Sequence, residues 1–240
     1  MPNSVPRFDA DSVRARLPGR RIDWFESLDS TMIEARRAPE PGRIVGAEAQ
    51  TAGMGRHGRK WISDPGAGLY ISIVLDAQPA PVIMLALGLA THDALASVSQ
   101  INADLRWPND VLIRGKKCAG VLAQVEGDTV IAGIGINVSQ TAFPPDLDTP
   151  ATSLLLEGVE GSREDLLVAL VASVDRFRAL SPDDIRRRFA DASSYVTGKR
   201  VRVETGIEGV TCGLDPAGFL RVREDNGTEI TILAGGVRPV

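Results

Sequence analysis

Four short stretches of this sequence combine charged, amide and glycine residues in patterns that suit the handling of anions. They are "QTAGMGRHGRKW" at 50–61, "RWPND" at 106–110, "GKKCAGVLAQ" at 115–124 and "GIGIN" at 133–137. Glycines allow backbone N–H groups to turn towards an anion, and the planar fork of an arginine matches a phosphate or a carboxylate. The sequence therefore suggests a binding site for a phosphate or a carboxylate that is assembled from several segments.

Each stretch also has a plainer interpretation. The loop at 50–61 matches neither a P-loop nor a Rossmann turn, and a flexible surface hairpin would have the same composition. Asn109 and Asp110 are ordinary turn formers, and Lys117 at a hairpin is often only a solvated charge. Small residues within a β-segment, as at 133–137, are typical of tight packing. The functional interpretation therefore depends on the four stretches acting together.

The composition is that of a globular protein, with 240 residues, 43% hydrophobic and 24% charged residues. The net charge of −4 disfavours a protein that binds duplex nucleic acid over its whole surface. Nothing resembles a signal peptide, and the apolar run at 82–90 is short enough to be a buried helix, so no membrane span is expected. The cysteines Cys118 and Cys212 form no disulfide framework or metal motif, which favours a reducing cytoplasm.

The periodicity predicts alternating strands and helices up to about residue 194. Strands are expected at 21–28, 43–50 and 69–75, and helices at 29–37, from Pro81 to Gln100, after Ser162 and after Ser181. Four β-rich segments, 104–107, 110–117, 118–127 and 129–138, predict a meander. From about residue 196 four short strands separated by turns indicate a small β-barrel. We therefore predict an α+β domain at 1–194 and a β-domain at 195–240.

Taken in order, the motifs resemble those of the biotin protein ligases, enzymes that attach biotin to carboxylase subunits. The matching stretches are 29–31 ("DST"), 50–61, 68–75, 106–111, 116–124, 133–138 and, more weakly, 151–154. The resemblance implies a mixed β-sheet with helices on one face and a C-terminal SH3-like β-barrel. Some members also carry an N-terminal DNA-binding domain, but only about twenty residues precede the first predicted strand here. A ligase that does not bind DNA is therefore expected.

The resemblance implies a reaction in two steps. Biotin and ATP give biotinyl-5′-AMP and pyrophosphate, and a lysine of a biotin carboxyl carrier domain then takes the biotin and releases AMP. Such chemistry needs no protein nucleophile, because it relies on positioning two anions and stabilising the developing charge. ATP, biotin and Mg²⁺ are the expected ligands, with Mg²⁺ held by the ATP phosphates and by no protein metal site.

The resemblance also implies roles for individual residues. Those expected to bind biotin are Ser30, Thr31, Met32, Gln50, Gly53, Met54, Gly55, Arg56, Lys117 and Gly120. Those expected to bind ATP are Arg56, Arg59, Trp61, Asn109, Lys117 and Asn137, with Trp61 stacking on the adenine. Lys117, Arg56 and Asp110 are the expected catalytic residues. For Asp110 two roles stay open: acting on the acceptor lysine, or bracing Lys117.

The sequence departs from the family pattern at Met54, Arg106 and Gln124, where Arg, Lys and Glu respectively are frequent. Arg106 keeps its charge. Gln124 loses a charge, which puts a bracing ion pair in doubt. Met54 removes a cation that could touch the intermediate, and one charge-assisted hydrogen bond contributes about 1.5–3 kcal/mol. Weaker retention of biotinyl-5′-AMP, with activity kept, is therefore expected.

Two other functions fit parts of the pattern. A lipoate–protein ligase has a similar fold and chemistry but does not normally carry a loop like that at 50–61. A non-catalytic module that binds RNA or anions would use the basic loop and the small barrel, and its binding would fall steeply with salt. A monomer or a weak homodimer is compatible with the sequence.

Overall fold

The computed structural model describes residues 7–77 and 80–240. Its helices are α1 (Ala10–Arg16), α2 (Thr31–Arg37), α3 (Ala80–Ser99), α4 (Arg163–Arg178) and α5 (Pro182–Asp191). Its first seven strands are β1 (Ile22–Leu28), β2 (Ile44–Gln50), β3 (Gly68–Asp76), β4 (Asp104–Arg106), β5 (Asp110–Ile113), β6 (Lys116–Glu126) and β7 (Thr129–Asn137). Five more follow near the C-terminus: β8 (Thr197–Val203), β9 (Glu208–Leu214), β10 (Leu220–Arg223), β11 (Glu229–Ile232) and β12 (Val237–Pro239).

The first seven strands form one mixed sheet in the order β1-β2-β3-β7-β6-β5-β4. Only β1 and β2 run parallel, and every other pair is antiparallel. The predicted meander from β4 to β7 is confirmed, with one boundary corrected. The segment expected at 110–117 is interrupted by a turn at Arg114 and Gly115, both at positive φ, so its last residues belong to β6.

Side chains that alternate along the strands separate the two faces of this sheet. Leu69, Ile71 and Ile73 of β3 point into the main core beneath α3 and α4. The segment Pro81–Ser99 is long and apolar enough to cross a membrane by composition, but most of it is buried inside the protein, as predicted for a core helix. Val74, on the opposite face, packs against the short helix α2. Helices therefore cover one face broadly, and α2 alone among the described helices occupies the other.

Capping residues explain where several helices begin. Ser162 and Ser181 cap α4 and α5 by accepting the backbone N–H three residues later, as predicted. Ser30 caps α2 by accepting the Met32 N–H, and Glu34 pairs with Arg37 and Arg43. Helix α1 was not predicted, because seven residues with one buried side chain carry too little periodicity.

The C-terminal strands form an antiparallel sheet in the order β11-β10-β9-β8-β12. It has one strand more than predicted, since the three residues of β12 pair with β8. Within the described strands the edges β11 and β12 do not pair, so the sheet is open, although its order is compatible with an SH3-like domain. Trp107 Nε1 donates to Gly218 O at 3.2 Å and ties this sheet to the first domain. The division at residue 194 stays a prediction.

Candidate active site

Two adjoining cavities lie where β6, β7, the 51–61 loop and the C-terminal sheet meet. The larger cavity has a volume of about 390 Å³ and the smaller cavity about 50 Å³. Both are lined by Gly55, Arg56, Trp61, Asn109 and Lys117. These five residues form a shared edge, so two ligands in neighbouring cavities would meet at Arg56 and Lys117.

The smaller cavity carries a preorganised set of neutral polar groups. Gln50 Oε1 accepts the Thr31 N–H at 2.8 Å and lies 3.2 Å from Thr31 Oγ1, while Gln50 Nε2 donates to Ser63 Oγ at 2.8 Å. Ser72 Oγ donates to Thr31 Oγ1 at 2.8 Å from the floor of the sheet. Ser30 is fully buried at the start of α2. Hydroxyl and amide groups fixed in this way suit a neutral polar ring better than an anion.

Glycines leave the strand surface beside this cavity without side chains. Gly120 of β6 lies opposite Gly135 of β7, and the indole ring of Trp61 covers both. A Cβ atom at Gly135 would approach the Trp61 ring to 2.4 Å, and one at Gly133 would approach the Met32 sulfur to 2.7 Å. Both glycines are therefore needed for close packing, which was the plainer interpretation of this motif. Trp61 Nε1 is buried and has no hydrogen-bond partner within the described ranges.

The 51–61 loop is a folded hairpin. Trp61 N–H donates to Gly53 O at 2.9 Å, and Gly55 N–H donates to Arg59 O at 2.8 Å. His57 lies at its tip with φ 55°, a conformation that is uncommon without glycine. This hairpin directs Arg56 towards the shared edge and Arg59 towards the C-terminal sheet.

Arg56 is fixed between the two domains. Its Nη1 donates to Asn109 Oδ1 at 3.3 Å and to Gly235 O at 3.2 Å. Burial lowers the pKa of Arg56 below its usual value, partly opposed by the charges of Glu204 and Asp110. An arginine still keeps its charge at neutral pH, so the shared edge holds a cation with unused donors.

Asp110 lies between two cations. Its carboxylate is 2.6 Å from Lys117 Nζ and 2.5 Å from Arg106 Nη2, and Arg106 also donates to Thr149 Oγ1 at 2.8 Å. Burial raises the pKa of Asp110, but the charges of Lys117 and Arg106 outweigh it and hold that pKa below 3.8. Such a carboxylate is a weak base at neutral pH, so the contacts support the bracing role over proton transfer from the acceptor lysine.

This pairing predicts a pH-dependent loss of stability in Asp110→Asn. A folded-state pKa below 3.8 means that the carboxylate stabilises the fold above that pH and loses the effect as the pH falls. Removing one member of a buried ion pair costs about 3 kcal/mol. The melting temperature of the variant should therefore lie well below that of the parent at pH 7, and the gap should narrow in acid. A gap that stays constant down to pH 3 would contradict the pairing.

Two of the predicted ATP-binding residues, Asn109 and Asn137, form hydrogen bonds with neighbouring segments of the protein. Asn137 lines the larger cavity but donates to Thr152 O at 3.0 Å and accepts from Gln140 Nε2 at 3.3 Å. Asn109 holds Arg56 and donates to Val121 O at 3.1 Å. Both side chains therefore brace neighbouring segments, and their contact with ATP stays a prediction.

The substitution at Gln124 is compensated nearby. Arg36 donates to the Gln124 side-chain carbonyl, and its Nε lies 3.0 Å from Glu126 Oε2. The carboxylate missing at 124 is thus supplied two residues later on the same face of β6. Cys118 is buried, and burial raises the pKa of its thiol to about 12, which fits the expected core thiol.

Met54 lies against the apolar cluster beside α2, near Met32 and Leu122, and lines the smaller cavity. We predict that Met54→Arg binds biotinyl-5′-AMP about tenfold more tightly, because it adds one charge-assisted hydrogen bond. The dissociation rate of the adenylate, measured by stopped-flow, checks this. An unchanged or faster dissociation would show that the apolar contact at 54 matters more than the missing cation.

Three charged residues that line the larger cavity carry no signal in the sequence. Asp148 lies in the connection after β7, Glu204 directly follows β8, and Arg238 lies in β12. No local motif marks them, because they are ordinary surface types brought together only by the fold. Within the described residues no group of three or more His, Cys, Asp or Glu side chains could hold a metal ion.

Two family models match this chain. Residues 21–140 match the biotin/lipoate A/B protein ligase family, and residues 196–237 match the biotin protein ligase C-terminal domain. The first match contains the 51–61 loop and every predicted site residue, and the second covers the C-terminal sheet.

Individual relatives agree with both models. The biotin–[acetyl-CoA-carboxylase] ligase of Mycobacterium tuberculosis is 35% identical, over 97% of this chain and 96% of its own. A biotin protein ligase from Aquifex aeolicus in complex with biotin and ATP superposes with a TM-score of 0.81 at 30% identity, over 92% of this chain and 99% of its own. The biotin protein ligase from Leishmania major in complex with biotinyl-5-AMP gives a TM-score of 0.65 at 26% identity, over 89% of this chain and 99% of its own. This chain therefore belongs to the biotin/lipoate A/B protein ligase family and is, within it, a biotin protein ligase.

Proposed function

We propose that this enzyme activates biotin with ATP to biotinyl-5′-AMP and transfers the biotin to a lysine of a carboxylase carrier domain. The observation that carries the proposal is the shared edge between the two cavities. Arg56 and Lys117 border both, so a carboxylate in one cavity and a phosphate in the other would meet between two cations. Relatives whose names specify this activity span nearly the whole chain.

In the first step a biotin carboxylate oxygen attacks the α-phosphorus of ATP, and pyrophosphate leaves. Negative charge accumulates on the α-phosphate oxygens between the two reactants. Lys117 and Arg56 lie where they would neutralise it, and fixed cations in a partly buried site need little reorganisation as the charge moves. The Asp110 carboxylate holds Lys117 Nζ in place at 2.6 Å.

In the second step the acceptor lysine, as the free amine, attacks the biotinyl carbonyl carbon. The bond to AMP breaks, the amide forms and the amine loses a proton to solvent. The same cations stabilise the departing phosphate. The hairpin over the shared edge would exclude water, which would otherwise hydrolyse the mixed anhydride.

The assignment of ligands to the cavities follows their chemistry. The neutral network around Thr31 and Gln50 suits the ureido ring of biotin. The larger cavity, with Arg59 on its wall, suits the nucleotide. Mg²⁺ would be held by the phosphates of that nucleotide. The smaller cavity, at about 50 Å³, takes biotin only if neighbouring side chains move, and Trp61 is the side chain that covers its glycine floor. Trp61 also lines the larger cavity, which supports its proposed stacking on the adenine.

The partner we propose is the biotin carboxyl carrier domain of an acyl-CoA or pyruvate carboxylase, in the cytoplasm. We also propose the division into a catalytic domain at 1–194 and a C-terminal domain at 195–240. We further propose that the protein is a monomer or a weak homodimer and does not bind DNA.

Transfer to a purified carrier domain tests the proposal. With biotin and ATP, intact-mass spectrometry should show one biotinyl group added, and none when the acceptor lysine is replaced by arginine. Lipoate in place of biotin should give little product. Modification by lipoate at an equal or higher rate would instead favour a lipoate ligase.

A further inference from the structure

Four charged side chains from three separate segments meet at the rim of the larger cavity. Arg59 Nη2 of the hairpin lies 2.8 Å from Glu204 Oε1 of the C-terminal sheet and 3.4 Å from Asp148 Oδ2. Arg238 Nη2 lies 3.1 Å from Asp148 Oδ2 and 3.8 Å from Glu204 Oε1. The hairpin, the connection after β7 and the C-terminal sheet are thus joined by ion pairs.

Glu204 is the best-fixed member of this cluster. Its side chain is only 22% exposed, against 58% for Asp148, and its backbone N–H donates to Gly236 O at 3.1 Å. Burial raises the pKa of Glu204, but Arg59 and the Gly236 N–H outweigh it and hold the pKa below its usual 4.5. Glu204 is therefore an anion at neutral pH, fixed at the wall of a cavity that should accept another anion.

We propose that Glu204 competes with the phosphates of ATP for Arg59 and thereby sets the affinity of this enzyme for ATP. The inference rests on the proposed function, because it takes the larger cavity as the nucleotide site. Phosphates that engage Arg59 must displace a carboxylate and also approach its negative charge. Binding of ATP would therefore break the ion pair between Arg59 and Glu204, while Arg56 Nη1 would still donate to Gly235 O and keep the hairpin in place.

Glu204→Gln tests this proposal without changing the size of the side chain, because the amide keeps an acceptor for Arg59 and removes only the charge. The matched control is Glu208→Gln, four residues along the same sheet, which also breaks an ion pair with an arginine, Arg202, but does not line either cavity. Dissociation constants for a non-hydrolysable ATP analogue are measured by calorimetry, which requires no reaction with biotin. KM for ATP is then measured in biotin-dependent pyrophosphate exchange.

We expect Glu204→Gln to lower both constants by about three- to tenfold, since one partly buried ion pair contributes on the order of 1 kcal/mol. Glu208→Gln should leave both unchanged. Raising the salt concentration should reduce the difference between the parent and Glu204→Gln.

Unchanged nucleotide affinity in Glu204→Gln would overturn the proposal. Weaker affinity would overturn it too, because it would show that Glu204 prepares Arg59 for the nucleotide. Failure of the proposed function looks different: the parent protein would bind the analogue yet show no exchange with biotin.

Discussion

Replacing Lys117 by alanine is expected to reduce formation of biotinyl-5′-AMP by about 10²–10³-fold, the cost of removing one donor aimed at developing charge. The ammonium borders both cavities and lies 2.6 Å from Asp110, which holds it at their shared edge. Single-turnover kinetics with labelled ATP measure the step directly. Because Lys117 acts on the transition state more than on either substrate, the loss should appear in the rate of chemistry, with smaller changes in biotin and ATP affinity.

Lys116→Ala is the matched control for this variant. Lys116 precedes Lys117 on the same strand, and its residue is exposed and forms no salt bridge within the described structure. Normal rates are expected for it. A similar loss in both variants would assign the effect to the strand's overall charge, and a normal rate in Lys117→Ala would exclude Lys117 from the chemistry.

Arg56→Met is expected to cause the second large loss, about 10²-fold in kcat/KM for both biotin and ATP. Arg56 lies at the same edge, fixed by Asn109 Oδ1 and Gly235 O, so its position needs little reorganisation when the anions arrive. Methionine keeps much of the apolar stem and removes the charge. Steady-state exchange kinetics with each substrate varied in turn measure the loss.

Arg59→Met provides the contrast within the same hairpin. The side chain of Arg59 is 48% exposed, and it lines the larger cavity but not the smaller one. Its removal should change KM for ATP and leave KM for biotin almost unaltered. A biotin-specific defect in Arg59→Met, or an ATP-specific one in Arg56→Met, would contradict the assignment of the two cavities.

Local sequence patterns predicted the elements whose signals lie within a few residues. A continuous apolar run rich in β-branched residues identified β3, and serine caps identified the starts of α4 and α5. Gly133 and Gly135 of β7 indicated close approach, and the structure shows what approaches them: the sulfur of Met32 and the indole of Trp61. In these cases the residue type itself restricts the local geometry.

Other features depend on contacts between residues distant in sequence. The pairing of Arg59 with Glu204 joins positions 145 residues apart, and neither residue belongs to a motif that points to the other. The three-residue strand β12 exists because β8 offers it a partner. The role of Asp110 likewise depends on the contacts of its carboxylate with Arg106 and Lys117, which the sequence does not reveal.

The most direct test of the central claim is ATP–pyrophosphate exchange by the purified protein with biotin, with lipoate and with no added acid. The two-cavity site predicts fast exchange with biotin, little with lipoate, background without acid, and loss of the biotin signal in Lys117→Ala. Absence of biotin-dependent exchange in the parent protein, or exchange that survives in Lys117→Ala, would contradict the account.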